Sequence, residues 1–283
     1  MKQEDSTATA APPPLMPRKV LKALVAVFIL LVALPVSLHF LSLPRAPLEL
    51  ARHLAYACPS WAAPLGSDEL GRDLLGRALM AGGLSLAVAV GAVLSAWSLA
   101  VLFGSLAAWR PGTPLSGTIN YIIELLQTIP FIVLAVSLAA VFRPNLLGIA
   151  LLMGVVASAA PARLVSAELR RVRSARHVTA QVALGHPPML LFRTAFLPTL
   201  ALPPAIWLLL LLPELLTVDA GLSLFGLGAQ PPTPSLGRMI YDGLNQAQAG
   251  WWLPSAPLLV LLILVVTAHF VASYLRKLIP AAL

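Results

Sequence analysis

Few side chains in these 283 residues could do chemistry, and their spacing decides which chemistry is open to them. The five histidines, His39, His53, His177, His186 and His269, form no i,i+4 pair and no His-Glu-x-x-His run, so the ligand spacing of a protein metal site is missing. Cys58 is the single cysteine, which excludes an intramolecular disulfide and a Cys-based cluster. The four lysines, Lys2, Lys19, Lys22 and Lys277, belong to no G-x-x-x-x-G-K-[ST] loop, so the chain has no Walker-type cradle for ATP phosphates. No acids, histidines or nucleophile cluster at one depth as a catalytic site would need. What remains is a set of acids at the edges of apolar runs: Glu124 in YIIELLQTIPF, then Glu214 and Asp219, with Ser223 close behind. An ionisable group within a membrane span is by default a functional hypothesis, so the three acids, together with the neighbouring Ser223 hydroxyl, are candidate pathway residues. Each acid also has a plainer reading. Glu124 lies close enough to an interface to reach water, and Glu214 and Asp219 could bond backbone exposed by Pro213 and Gly221.

The elements that must position these residues are membrane spans. Hydrophobic residues make up 59% of the chain and charged ones 11%, with a mean hydropathy of +0.87; a soluble domain would be about 25% charged. One span takes roughly 20 apolar residues. The 30 charged residues (19 basic, 11 acidic) leave six long gaps: Ala23 to Leu43, Ala78 to Trp109, Leu125 to Phe142, Pro144 to Ala162, Thr194 to Pro213 and Gly243 to Arg276. The second and sixth exceed one span and are trimmed to Leu84 to Trp109 and Leu253 to Tyr274. A seventh gap, Ala220 to Gly237, is so rich in Gly and Pro that it reads as a loop or re-entrant segment. The fold class is therefore all-α and polytopic, with about six transmembrane helices.

The first apolar run is read as a retained span: it is longer than the usual signal h-region and no A-x-A site follows it. Lipoprotein-like Ala55-Tyr56-Ala57-Cys58 lies well past it. With the N-terminus inside, Lys and Arg divide 13 inside to 6 outside, which predicts both termini cytoplasmic. The net charge of +8 then reflects topology rather than nucleic acid. The layout is a disordered cytoplasmic tail over 1–19, a first span over 20–43, an extracytoplasmic loop over 44–82, a five-helix domain over 83–275 and a short cytoplasmic tail over 276–283. Trp251 and Trp252 read as interfacial anchors before the sixth span.

The longest inner loop, residues 163–197, carries six arginines, Arg163, Arg170, Arg171, Arg173, Arg176 and Arg193. The charge rule alone would place basic residues there. Arg163 to Leu184 suits a helix, Gly185 can terminate it, and His186-Pro187-Pro188 forces a turn before a second, apolar helix. Asp68 and Asp73 in the 44–82 loop alternate with Arg72 and Arg77. Either they pair locally on a solvated loop, or the segment meets a partner at the outer mouth.

Three ordered motifs give a resemblance. Thr179-Ala180-Gln181, then Gly185, then Phe196-Leu197-Pro198 is similar to the cytoplasmic signature of ABC importer permeases, in which Glu-Ala-Ala precedes Gly and a stretch ending in Leu-Pro. Thr179 stands in place of the Glu and Gln181 in place of the second Ala; the 13-residue offset from Gly185 to Pro198 matches. Gly66-Ser67-Asp68-Glu69-Leu70-Gly71-Arg72-Asp73-Leu74-Leu75-Gly76-Arg77 resembles the G-T-D-x-x-G-R-D segment of the dipeptide, oligopeptide and nickel branch, specifically its second, C-type permease. Asp219-Ala220-Gly221-Leu222-Ser223-Leu224-Phe225-Gly226-Leu227-Gly228, followed by Pro231, Pro232, Pro234 and Gly237, is similar to the same branch's E-A-x-L-S-F-L-G-L-G segment. The landmark that comes next after Arg77 in that branch, Gly-x-Arg-x-Ser-Leu, stands here as Ala81-Gly82-Gly83-Leu84-Ser85-Leu86 without its Arg.

The resemblance implies an ABC transporter type-1 permease fold in a bacterial inner membrane and no catalytic residue. It implies no cofactor bound by this chain, with ATP hydrolysed by a separate subunit. Implied partners are a homologous permease that completes the pathway, two ATP-binding subunits, an extracytoplasmic solute-binding protein and membrane lipid, with no nucleic acid. Thr179, Ala180, Gly185, Leu197 and Pro198 would mark the surface coupled to the ATPase, and Gly66, Asp68, Gly71, Arg72 and Asp73 the extracytoplasmic segment. The implied cargo is short peptides, with nickel or a metal chelate as the alternative. A proton-coupled secondary transporter is the rival class; it would call for ionisable groups at mid-membrane and often internal repeats, and neither is found.

Overall fold

The computed structural model describes residues 50–61, 63–109, 111–191 and 195–278, and these are almost wholly helical. The expected tail over 1–19 and first span over 20–43 lie outside the described residues. The spine is α1, Leu74–Trp109, whose 36 residues at 1.5 Å rise give about 54 Å. One stripe of it is small: Ala81, Ala89, Ala92, Ala96, Ala100 and Ala107 recur at helical spacing and are fully buried. Small residues let backbones approach where lipid offers no hydrophobic drive. A Cβ on Gly104 would come within 2.6 Å of the Ala162 carbonyl oxygen, so that contact is backbone against backbone.

Two bent pairs follow. Helix α2, Pro114–Thr128, opens on Thr113, whose hydroxyl accepts from the Ser116 N–H at 3.4 Å, with Pro114 at a position that needs no donor. It stops before Pro130, and α3, Phe131–Phe142, departs at 97°. The expected third span, Leu125 to Phe142, is thus broken, because Pro130 cannot donate to the Leu126 carbonyl. Arg143 ends α3 in the left-handed region, and Asn145 caps α4, Leu146–Ala157, through the Gly148 N–H at 2.8 Å. Helix α5, Ala159–Arg173, continues at 47° to α4. Pro161 explains that bend: it has no N–H for the Ala157 carbonyl.

The expected helix from Arg163 to Leu184 is two helices. Arg170, Arg171 and Arg173 sit in the last turn of α5, where cations complement the helix dipole. Ala175 then turns extended, and α6, Arg176–Ala183, leaves in a new direction. A one-turn α7, Pro188–Leu191, leads to α8, Leu197–Leu224. The Gly- and Pro-rich gap from Ala220 is helical through Leu224, irregular across Pro231 and Pro232, and helical again in α9, Leu236–Asn245. Helix α10, Trp252–Leu278, closes the bundle. Packing centres on α1, with α4 and α5 along one side and α8, α9 and α10 along the other. By length and composition two helices can cross a membrane, 74–109 and 252–273, and up to four if each bent pair is one span, among the described residues.

Candidate functional site

Three places gather the residues the sequence singles out: a collar before and around the start of α1, an arm formed by the end of α5 with α6 and α7, and a cavity at the two helix breaks.

The collar, residues 50–77, is organised by Asp68. One carboxylate oxygen accepts the N–H groups of Leu70 and Arg72, both at 2.9 Å; the other accepts from the Arg72 Nε at 2.7 Å and from an Arg77 guanidinium nitrogen. The group is buried, so four donors replace the water it has lost. Ser67 beside it accepts from the Ala57 N–H at 2.9 Å and donates to the Leu54 carbonyl. Asp73 caps α1, accepting from the Gly76 N–H at 2.6 Å. Gly66 and Gly71 have φ of +72° and +73°, and a Cβ there would meet the Ala57 and Ala51 carbonyl oxygens at 2.5 and 1.9 Å. Gly66, Asp68, Gly71, Arg72 and Asp73 are thus brought together in one bonded loop. Glu69 points outward and accepts from the Gln246 amide of α9 at 2.6 Å.

The arm has a different character. Arg173 donates to the Trp109 carbonyl at 2.7 Å, and Arg170 to the Ser166 hydroxyl at 2.7 Å, which fixes α5 to the end of α1 and to itself. Beyond them α6 stands out, with Thr179 and Ala180 exposed, Val182 57% exposed and Leu184 75% exposed. Its end is a Schellman motif: the Gly185 N–H donates to the Val182 carbonyl at 3.0 Å and the His186 N–H to the Gln181 carbonyl at 3.1 Å, with Gly185 at φ +76°. Val178 on the inner side packs with Leu191 and Ala195 in a small apolar cluster of the arm's own. Gln181 Oε1 and His186 Nδ1 are buried atoms with no hydrogen-bond partner among the described residues. Leu197 and Pro198 begin α8, some distance along the chain from Thr179 and Ala180.

The four acid and hydroxyl candidates are not brought to one place. Glu124 is exposed on α2. Asp219 is buried where α8 meets α1, within hydrogen-bonding reach of the Ser85 hydroxyl. Ser223 is buried under Gly228, which folds back so closely that a Cβ would fall 1.9 Å from the Ser223 hydroxyl. Gly237 at the start of α9 likewise presses on the Ala220 carbonyl, and Gly226 repeats the Schellman geometry, with the Leu227 N–H donating to the Leu222 carbonyl at 2.8 Å. The segment from Asp219 to Gly237 is therefore a tight fold of α9 onto the end of α8.

Glu214 alone lines a cavity, of about 250 Å³. Gln127 and Pro130 wall it on one side, Ala157 and Ala160 on another, and Trp207 on α8 on the third, so both proline breaks open onto it. The sequence reading missed this convergence and the Ser85 partner of Asp219. The signal was present for the first, since Pro130 and Pro161 each interrupt an apolar run; nothing local announced the second.

A family model described as the binding-protein-dependent transport system inner membrane component matches residues 100–282. The di/tripeptide transport system permease protein DppC of Pseudomonas aeruginosa (strain UCBPP-PA14) is 29% identical over 193 residues, covering 68% of this chain and 63% of that protein. The dipeptide transport system permease protein DppC of Escherichia coli (strain K12) is 30% identical over 155 residues, 55% and 52% of the two chains. The oligopeptide transport system permease protein OppC of Haemophilus influenzae is 26% identical over 195 residues, 69% and 62%. The matched stretch spans roughly half to two thirds of these relatives' length. Two crystal forms of the MetNI methionine ABC transporter, both in inward-facing conformations, share the fold with a TM-score of 0.52, at 22% and 23% identity. They cover 69% and 71% of this chain and 92% and 95% of those chains.

Proposed function

The chain belongs to the binding-protein-dependent transport system inner membrane components, and from that premise we propose that it is one permease subunit of an ABC importer for short peptides. The carrying observation is the arm. A helix of two turns, α6, is held out from the bundle, stopped by a left-handed glycine, and leaves Val182 and Leu184 mostly exposed. Such a short amphipathic helix on a stiff stem fits a groove on another protein. In the proposed importer that protein is an ATP-binding subunit, and the same surface carries Thr179, Ala180 and Gly185, with Leu197 and Pro198 forming the root of the next helix. The ATPase must be a separate polypeptide, since this chain has no phosphate loop of its own, and the family resemblance implies two copies of it. Closure of the ATPase pair would push on α6, and the stem α5, packed along α1, would carry the displacement into the bundle.

The orientation follows from the 13 to 6 division of basic residues: arm and both termini in the cytoplasm, collar outside. There the collar and α9 would receive the solute-binding protein. A homologous permease would cover the opposite side of the pathway. Peptide cargo is supported by the names of the DppC and OppC relatives.

Reconstitution with a partner permease, ATP-binding subunits and a solute-binding protein of the same family tests this. Uptake of a labelled dipeptide should require ATP and vanish when the ATPase subunits are omitted. Uptake that continues without them and follows a proton gradient would overturn the importer reading.

A further inference from the structure

The cavity at the helix breaks has a chemistry that follows from what the two prolines withhold. Pro130 supplies no N–H to the Leu126 carbonyl and Pro161 none to the Ala157 carbonyl, and both Leu126 and Ala157 line the cavity. A helix carbonyl deprived of its i+4 donor keeps its accepting capacity. The Glu214 side chain opens onto the same space from α8. Its carboxylate accepts and cannot donate when ionised, and no Lys, Arg or His is among the lining residues. Gln127 and the Trp207 indole N–H are the side-chain donors there; Val156, Phe131 and Leu211 are apolar. Acceptors thus outnumber donors, with Glu214 exposed among largely apolar lining residues, an arrangement that favours a complementary cation.

We propose that this cavity is a transit subsite for the ammonium group of the solute, with Glu214 as its counter-charge and the Leu126 and Ala157 carbonyls as further acceptors. This rests on the permease reading only in placing the cavity on the solute's route. An ammonium group suits the acceptor set because it donates three hydrogen bonds in a tetrahedral spread, whereas a transition-metal ion would call for several His, Cys or carboxylate ligands. No group of three or more His, Cys, Asp or Glu residues able to hold a metal is present among the described residues.

The single cysteine makes a direct test simple. In a Cys58→Ser background, Gln127→Cys places one thiol at the cavity wall. Its modification by a trimethylammonium-bearing and by a sulfonate-bearing methanethiosulfonate is followed in the assembled transporter. The ammonium reagent is expected to react at least fivefold faster relative to the two reagents' rates with a free thiol, the preference to disappear in Glu214→Gln and to persist in Glu214→Asp. Equal relative rates, or a preference that survives Glu214→Gln, would overturn the subsite. A second arm compares uptake of alanyl-alanine with its N-acetylated form, with an expected loss of tenfold or more on acetylation. Equal uptake of the two would also count against the subsite. If neither peptide enters while the reagent preference holds, the peptide reading fails and the ammonium subsite stands.

Discussion

Asp68 in the collar and Arg176 in the arm both belong to charge-rich motifs, and they end in opposite places. The collar turns its charges inward: Asp68 takes four donors, Ser67 and Asp73 bond backbone, and Gly66 and Gly71 let three chain segments touch. The arm commits Arg170 and Arg173 to holding its stem and leaves α6 with an exposed outer face. A motif whose side chains are consumed by its own loop is explained by folding. A motif whose side chains are left over, on an element held rigidly in place, points to a partner. By this criterion the arm is the stronger docking surface, and the collar offers a partner its outward residues, such as Glu69, rather than Asp68 or Asp73.

The sharpest way to break that contrast is Asp68→Ala. Removing one member of a buried ion pair leaves the Arg77 guanidinium without its compensating charge, and such losses cost about 3–5 kcal/mol. The Arg77 Nε already lacks a partner among the described residues. The variant should melt well below wild type in detergent and accumulate poorly in the membrane. An unchanged melting temperature with a loss of binding-protein affinity would move Asp68 from folding to docking.

Next in size is a matched pair of glycines. Gly71 and Gly185 share the left-handed region, at φ +73° and +76°, but a Cβ on Gly71 would sit 1.9 Å from the Ala51 carbonyl oxygen while one on Gly185 would meet nothing within 4 Å. Left-handed strain costs a non-glycine residue about 1–2 kcal/mol. Gly71→Ala adds a steric penalty of about 1–3 kcal/mol on top. Gly185→Ala should therefore show the strain alone, and thermal melting of the two variants reads the difference directly. Gly185→Asp sharpens the functional side. Asp tolerates the left-handed region better than most residues, so insertion and stability should stay near wild type. A charge on the arm's outer face should separate ATP hydrolysis from uptake; normal uptake by this variant would remove the arm from the coupling surface.

How far the sequence was legible follows the same division. The spine α1, α10 and the end of α6 at Gly185 could be read because each rests on local information: long apolar runs and a glycine followed by His-Pro-Pro. The helix breaks were harder. Pro130 and Pro161 are visible in the sequence, but proline inside an apolar run is also compatible with a continuous span, and only packing decides between a kink and a 97° departure. Ala220 to Gly237 looked like loop because of its glycines. Their use is tertiary: Gly228 and Gly237 clear space for Ser223 and the Ala220 carbonyl. The Asp219 to Ser85 contact joins residues 134 positions apart and has no local signature.

Gln246→Ala should have the smallest effect, and it asks whether the collar is as self-contained as its bonding suggests. The Gln246 amide donates to Glu69 at 2.6 Å across an exposed surface, joining the collar to α9 over 177 residues of sequence. A single exposed hydrogen bond is worth about 0.5–1.5 kcal/mol, and solvent can replace it. Arg238 pairs with Asp242 at 3.0 Å on the same helix, and Asp242 also faces the collar's Arg77, a second and electrostatic link between α9 and the collar. A collar held by Asp68 would keep its shape in this variant, and the melting temperature would move little. A drop as large as that of Asp68→Ala would mean that α9 holds the collar from outside. Displacements of α9, which is packed on the ends of α8 and α10, would then be transmitted to the surface proposed to receive the binding protein.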